Sequence, residues 1–295
     1  MTEKQGGVVV IGDALIDEMR SETGSVDAPG GSALNVAVGL AILGVPTTLI
    51  AMIGGDADGK VLLDYAEDFD IEVLASPSIL GTGRAVSDRT NGEPTYFFSD
   101  AALARSLHLG AAEQSAIDAA SVIVVSGFPF DDFTEFDALS GALASHPSVL
   151  IDPNPRTGFL RDSGDFAANL ERLASTSALL KIGDEDAALL YGLPVDEVAE
   201  HYRSLGTAAV LATEGPGGAS ILIGRSALHL PIADDPRPIV DTMGAGDSTF
   251  ASVIRHIVDA GSVDGVDNWE VVLSTAMQIA AETVRSPGGQ LRLPR

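Results

Sequence analysis

The stretch DTMGAGDSTF, Asp241 to Phe250, places two glycines and two aspartates in its first seven residues and then turns apolar. The residues STFASVIRHIVDA that close and extend it have the apolar spacing of a helix packed on a sheet. Gly244, Ala245 and Gly246 therefore sit at a helix N-terminus. Unpaired N–H groups and the positive end of the helix dipole attract anions there, and small residues let a phosphate approach the backbone. Asp247 falls in the first turn, placed to accept the proton of a hydroxyl that attacks a bound phosphoryl group. A helix cap behind a plain glycine turn satisfies the same residues, and this stretch alone leaves both readings open.

Outward from that helix, short β-rich runs alternate with helical stretches. VVVIG (8–12), TTLIAMIG (47–54), SVIVVSG (121–127), SVLID (148–152) and AAVLAT (208–213) read as buried strands. Asn35 to Leu43, Phe133 to Ala144, Phe166 to Ala174 and Asp184 to Tyr191 have helical spacing. Strands separated by helices imply parallel crossovers, hence a layered α/β fold with helices on both faces of a mostly parallel sheet. No linker or internal repeat divides residues 1–295, so a single domain is expected. Two polar segments with turn signals, about 20–29 and 84–100, interrupt the alternation and read as β-rich excursions that cover a ligand at the carboxyl ends of the strands.

Composition limits the chemistry. With no cysteine, disulfides, thiolate nucleophiles and thiolate metal sites are excluded, and the five histidines are scattered without a metal-ligand pair. A formal net charge of -25 opposes binding to nucleic acid or to an anionic membrane surface. No apolar run approaches the ~18 residues of a spanning helix, and MTEKQGGVVV lacks the pattern of a leader, so a cytoplasmic location is expected. An acidic protein can still bind a phosphate where local backbone donors outweigh the global field.

GGDADGKV, Gly54 to Val61, mimics a P-loop but lacks its chemistry. Val61 stands where a hydroxyl should hold magnesium, and Asp56 and Asp58 would face the phosphates. A dinucleotide fold needs Gly-x-Gly-x-x-Gly after the first strand, whereas VVVIGDALID offers one glycine.

DTMGAGDSTF resembles the C-terminal signature of the ribokinase-like sugar kinases, Asp-Thr-x-Gly-Ala-Gly-Asp. GGSALNVAVGLAILG, Gly30 to Gly44, is similar to that family's N-terminal glycine pair and following helix. IGGDADGKVLLDYAEDFDIEV resembles the segment in which Gly-x-Asp-x-x-Gly opens a helix, and the order and spacing fit from Val8 to Pro294. The resemblance implies a ribokinase-like three-layer sandwich with a small β-rich lid, which phosphorylates a sugar hydroxyl with ATP and Mg2+. It gives Asp247 the role of catalytic base and Gly244, Ala245 and Gly246 that of an anion hole. Asp17, Gly30, Gly31 and Asn35 match sugar-contacting positions. Thr213, Gly215, Gly217 and Gly218 of TEGPGG, with Lys181, match nucleotide-binding ones. Asp241 and the Met243 carbonyl fall where many relatives bind a monovalent cation such as K+, and relatives often pair their lids as homodimers.

DPNPR (152–156) and KIGDEDAALLYG (181–192) resemble bacterial fructokinases and 2-keto-3-deoxygluconate kinases, as do Arg84 in GRAV and Tyr96 in YFF. In such relatives Asn154 and Arg156 lie near the transferring phosphate or the substrate. Ketodeoxygluconate kinases carry an arginine after the aromatic run, where this chain has Ser99 and Asp100. A neutral ketose, fructose first, is therefore expected, with 2-keto-3-deoxygluconate or sugar binding without turnover as alternatives. Two departures stand out. Gly183 and Asp186 occupy the family's Asn-x-x-Glu or Ser-x-x-Glu, leaving Asp186, or the adjacent Glu185, to hold magnesium through water. Asp70 replaces a turn glycine.

Overall fold

The computed structural model describes residues 7–21, 24–88 and 95–294, with Thr95 and Tyr96 described by backbone alone. Among the described residues nine strands form the principal sheet: β1 (Val8–Gly12), β4 (Thr47–Gly54), β5 (Glu72–Ser78), β8 (Val122–Ser126), β9 (Val149–Asp152), β10 (Leu179–Gly183), β11 (Ala209–Thr213), β12 (Ala219–Ile223) and β13 (Ser226–Leu230). Their order is β13-β12-β11-β10-β9-β8-β1-β4-β5. Neighbours run parallel except at β11/β12 and β12/β13. A second sheet, ordered β3-β2-β6-β7, contains β2 (Leu15–Ser21), β3 (Gly24–Gly30), β6 (Arg84–Asp88) and β7 (Thr95–Phe98).

The period of two along a strand separates two cores. Val8 and Val10 of β1 pack with α1 (Ser32–Ile42), α2 (Ala57–Glu67), α9 (Ala245–Ala260) and α10 (Trp269–Thr283). Val9 and Ile11 face the other way, onto α4 (Ala111–Ala119), α5 (Phe133–Leu143), α6 (Ser163–Ala174), α7 (Asp184–Tyr191) and α8 (Val195–Leu205). Helix, sheet and helix make the three layers the sequence implies. A short helix, α3 (Asp100–Leu103), follows β7, and Ser99 caps it by accepting the Ala102 amide at 3.2 Å.

The false P-loop is a helix start. Asp56 Oδ1 accepts the Gly59 amide at 2.9 Å to cap α2, while Thr82 donates from Oγ1 and from its amide to the same carboxylate. These donors hold the Asp56 carboxyl below the usual carboxylate range, Thr82 first. Asp70 adopts φ 55°, the left-handed conformation that explains why glycine suits this turn.

The first excursion is larger than its polar segment suggests: β2 and β3 pair from Leu15↔Gly30 to Ser21↔Gly24, so the hairpin begins directly after β1. Ile16 of β2 is buried in the main core, and two side chains of the other strands also attach the small sheet to the body. Arg84 on β6 grips Asp58 of α2 with Nε at 2.6 Å and Nη2 at 2.8 Å, and the Phe98 ring on β7 lies 3.8 Å from that of Phe159. No helix among the described residues is long and apolar enough to cross a membrane.

Candidate active site

The site gathers where the parallel strands end. Gly244 caps α9 in the left-handed region, φ 74°, and a Cβ there would lie 2.1 Å from Gly289 O, so only glycine fits. The amides of Gly246 and Asp247 have no acceptor among the described residues, as the first turn of a helix requires. Lys181 on β10 stands beside them: a Cβ on Gly246 would come 3.3 Å from its Nζ. This puts two backbone donors and an ammonium around one small space, a chemistry that suits a phosphoryl group.

Lys181 is buried, and its Nζ donates to Asp152 Oδ1 at 3.0 Å at the end of β9. Burial works against the lysine's charge, but Asp152 and Asp186 outweigh it and hold its pKa above the ordinary value. Burial pushes Asp152 up to about 6, with Lys181 opposing and Asp186 and Asp247 adding to the rise.

Asp247 is 9% exposed. Its carboxylate accepts from Ser32 Oγ at 2.7 Å on Oδ1 and from Asn35 Nδ2 at 2.9 Å on Oδ2, both from the first turn of α1. That turn is set by Gly31, φ 100°, where a Cβ would strike Asp13 O at 2.7 Å. Asp13 Oδ1 accepts the Ala33 amide at 3.1 Å, which ties the end of β1 to the helix start. Gly30 lies against Asp17, whose Oδ2 a Cβ would meet at 1.9 Å. Burial pushes Asp17 up to about 7, reinforced by Asp13 and Asp247 and opposed by Arg156. Asp17, Gly30, Gly31, Asn35 and Asp247 thus form one cluster.

Several other residues singled out by sequence sit just beyond the ends of β9, β10 and β11. Asn154 takes φ 40° in the loop after β9, and Arg156, half exposed, lies 3.8 Å from Glu185. Thr213 ends β11, and Gly215 and Gly217 bound a 3-10 turn closed by Gly218, φ 101°. Asp186 accepts the Gly183 amide at 2.8 Å and so starts α7. Asp241 accepts Met243 N at 3.0 Å and Gly288 N at 3.1 Å, drawing the C-terminal loop onto the glycine turn. Among the described residues no three His, Asp or Glu side chains form a metal cage.

Arg84 is engaged by Asp58, Glu18 and Asp27. Ser99 Oγ accepts the Arg84 amide as well as capping α3, and Asp100 is exposed. The side chain of Tyr96 lies outside the described residues. Sequence reading missed Asp13, Ser32, Ser126, Asp152 and the Gly288–Gly289 turn, each brought to the centre by the crossovers. It also missed Arg105, which donates to Gly127 O at 2.7 Å and lines a small open pocket with Asp13, Leu15 and Met52. That pocket adjoins the cluster without including Asp17, Asn35 or Asp247.

Residues 7–295 match the pfkB family carbohydrate kinase model. The chain belongs to this family. Like its pfkB relatives, it is a carbohydrate kinase. It is 28% identical over 265 residues to a fructokinase of Rhizobium leguminosarum bv. trifolii, covering 85% of this chain and 79% of the relative. Its fold is shared with the ATP-bound fructokinase of Xylella fastidiosa, TM-score 0.83 at 19% identity over 97% and 94% of the two chains. A double mutant of the fructokinase from Vibrio cholerae O395, solved with fructose, ADP and potassium ion, gives TM-score 0.82 at 19% identity over 100% and 97%.

Proposed function

We propose that this pfkB kinase transfers the γ-phosphoryl group of ATP to a hydroxyl of a neutral ketose, fructose first. The observation that carries the reading is the convergence of Asp13, Asp17 and Asp247 at the acceptor end, where burial, reinforced by the two neighbouring carboxylates, pushes Asp17 up to about 7. Arg84 is already matched by three carboxylates and Arg105 by Gly127 O and the charge of Asp13, so the cluster favours a polyol over an anion. An acid such as 2-keto-3-deoxygluconate would need Arg156, which lies beside Glu185 and acts on Asp17.

In this reading Asp17, Asn35 and the Gly30–Gly31 turn orient the sugar. Asp247 accepts the proton of the attacking hydroxyl as its oxygen bonds to phosphorus. The Gly244–Gly246 turn offers its amides to the charge on the phosphoryl oxygens, and Lys181, Asn154 and Arg156 flank the same group. Thr213 and the Gly215–Gly218 turn hold the nucleotide. Asp186 would hold magnesium through water, and the ion, when bound, would neutralise phosphate charge. Potassium beside Asp241 and the Met243 carbonyl is proposed on the position of these groups under the anion hole. Strands β2, β3, β6 and β7 act as a lid, and the exposed Val26 and Phe97 on it suit lid-to-lid pairing of a homodimer.

Sugar-dependent ADP release with magnesium-ATP tests the assignment across fructose, tagatose, ribose and 2-keto-3-deoxygluconate. A dominant neutral-ketose signal supports it. A dominant ketodeoxygluconate signal would move the acceptor-binding role to Arg156, and silence with every sugar would favour binding without turnover.

A further inference from the structure

The carboxylate of Asp247 is held by a residue that no phosphoryl-transfer step calls for. Ser32, the first residue of α1, stands 215 positions away in the chain, and its Oγ donates to Asp247 Oδ1 at 2.7 Å. The same Oγ lies 2.7 Å from Ser126 Oγ at the end of β8. A serine hydroxyl carries one hydrogen. Ser32 gives its hydrogen to the carboxylate, so the hydrogen between the serines comes from Ser126. Both serines are buried, 4% and 0% exposed. Ser126, Ser32 and Asp247 therefore form a relay polarised toward one carboxylate oxygen.

The surroundings give the relay a purpose. Asp13 beyond β1, Asp17 on β2 and Asp152 on β9 all act on Asp247 or are acted on by it, against the ammonium of Lys181 on β10. Anchored at Oδ1 by Ser32 and at Oδ2 by Asn35, the carboxylate cannot turn freely, and each oxygen keeps a lone pair for the acceptor hydroxyl.

We propose that Ser32, backed by Ser126, is the positioning residue that orients Asp247 for proton abstraction. The inference rests on the reading of Asp247 as the base.

The test is steady-state kinetics in sugar and ATP for Ser32→Ala and Ser126→Ala, each made also in an Asp247→Ala background, with melting temperatures to confirm folding. Ser32→Ala should lower kcat about tenfold, the usual worth of a hydrogen bond to a charged group, with sugar and ATP KM within about twofold of the parent. Ser126→Ala should lower kcat by less, and carries the test if Ser32→Ala does not fold. Adding Ser32→Ala to Asp247→Ala should change the residual rate by less than about twofold. Parental kcat in both serine variants, or an equal loss with and without Asp247, would overturn the relay. Parental turnover in Asp247→Ala would instead remove the base, and the relay with it.

Discussion

Asn35 Nδ2 donates to Asp247 Oδ2 at 2.9 Å, joining the helix behind the N-terminal glycine pair to the helix behind the C-terminal glycine turn. The two motifs that stand farthest apart in the chain thus meet at one carboxylate. In the proposed reading Asn35 both bonds a sugar hydroxyl and holds the base, so its removal should injure both functions. Asn35→Ala should raise sugar KM and lower kcat, each about tenfold, with ATP KM little changed. Steady-state kinetics in both substrates separates this from Ser32→Ala, which should leave sugar KM alone.

Asp17 should make stability and sugar use depend on pH. Its pKa rises from 3.8 to about 7 in the fold, chiefly through burial. Between those values the folded state retains a proton that the unfolded chain has lost, so this residue's contribution to stability is present below pH 4 and lost as pH rises through 7. Asp17→Asn should therefore melt close to the parent at pH 4 and above it at pH 8, as thermal unfolding across pH will show. The ionised carboxylate accepts sugar hydroxyls, so the parent's sugar KM should fall as pH rises through 7, and the variant should lose that dependence.

Lys181 and Asp152 should be separable into a stability role and a catalytic one. Lys181→Met leaves a buried carboxylate unpaired, which costs about 3–5 kcal/mol in comparable pairs. Lys181→Met with Asp152→Asn should recover most of that loss, because the amide carries no charge. It should not recover turnover, since the ammonium beside Gly246 is still missing. Denaturant unfolding and kcat on the two variants check the division.

Much of this arrangement was legible in the sequence because it is local. The five strands read from apolar runs all appear, since strands buried on both faces need no alternation and end at small residues. The helix expected from Asn35 begins three residues earlier, because the left-handed Gly31 lets Ser32 enter the first turn. The small sheet was harder to bound: along β2, residues 17–21 are polar or partly exposed and carry little apolar signal, although their pairing is regular. Ser99 and Asp100, which stand where ketodeoxygluconate kinases carry an arginine, cap and open α3, with Ser99 Oγ accepting the Ala102 amide three residues on. Ser32, Ser126 and Asp152 gain their meaning only when the crossovers bring separate strand and helix ends together. A serine read alone carries no sign of a partner 215 positions away.

Turnover of Asp247→Asn, measured beside its sugar affinity, tests the central claim most directly. Asparagine keeps the shape and an oxygen for Ser32 but cannot take the acceptor proton. Sugar Kd should stay near the parent's while kcat falls by about 10² to 10⁴, the usual worth of a general base. A kcat within about threefold of the parent would contradict proton abstraction by Asp247.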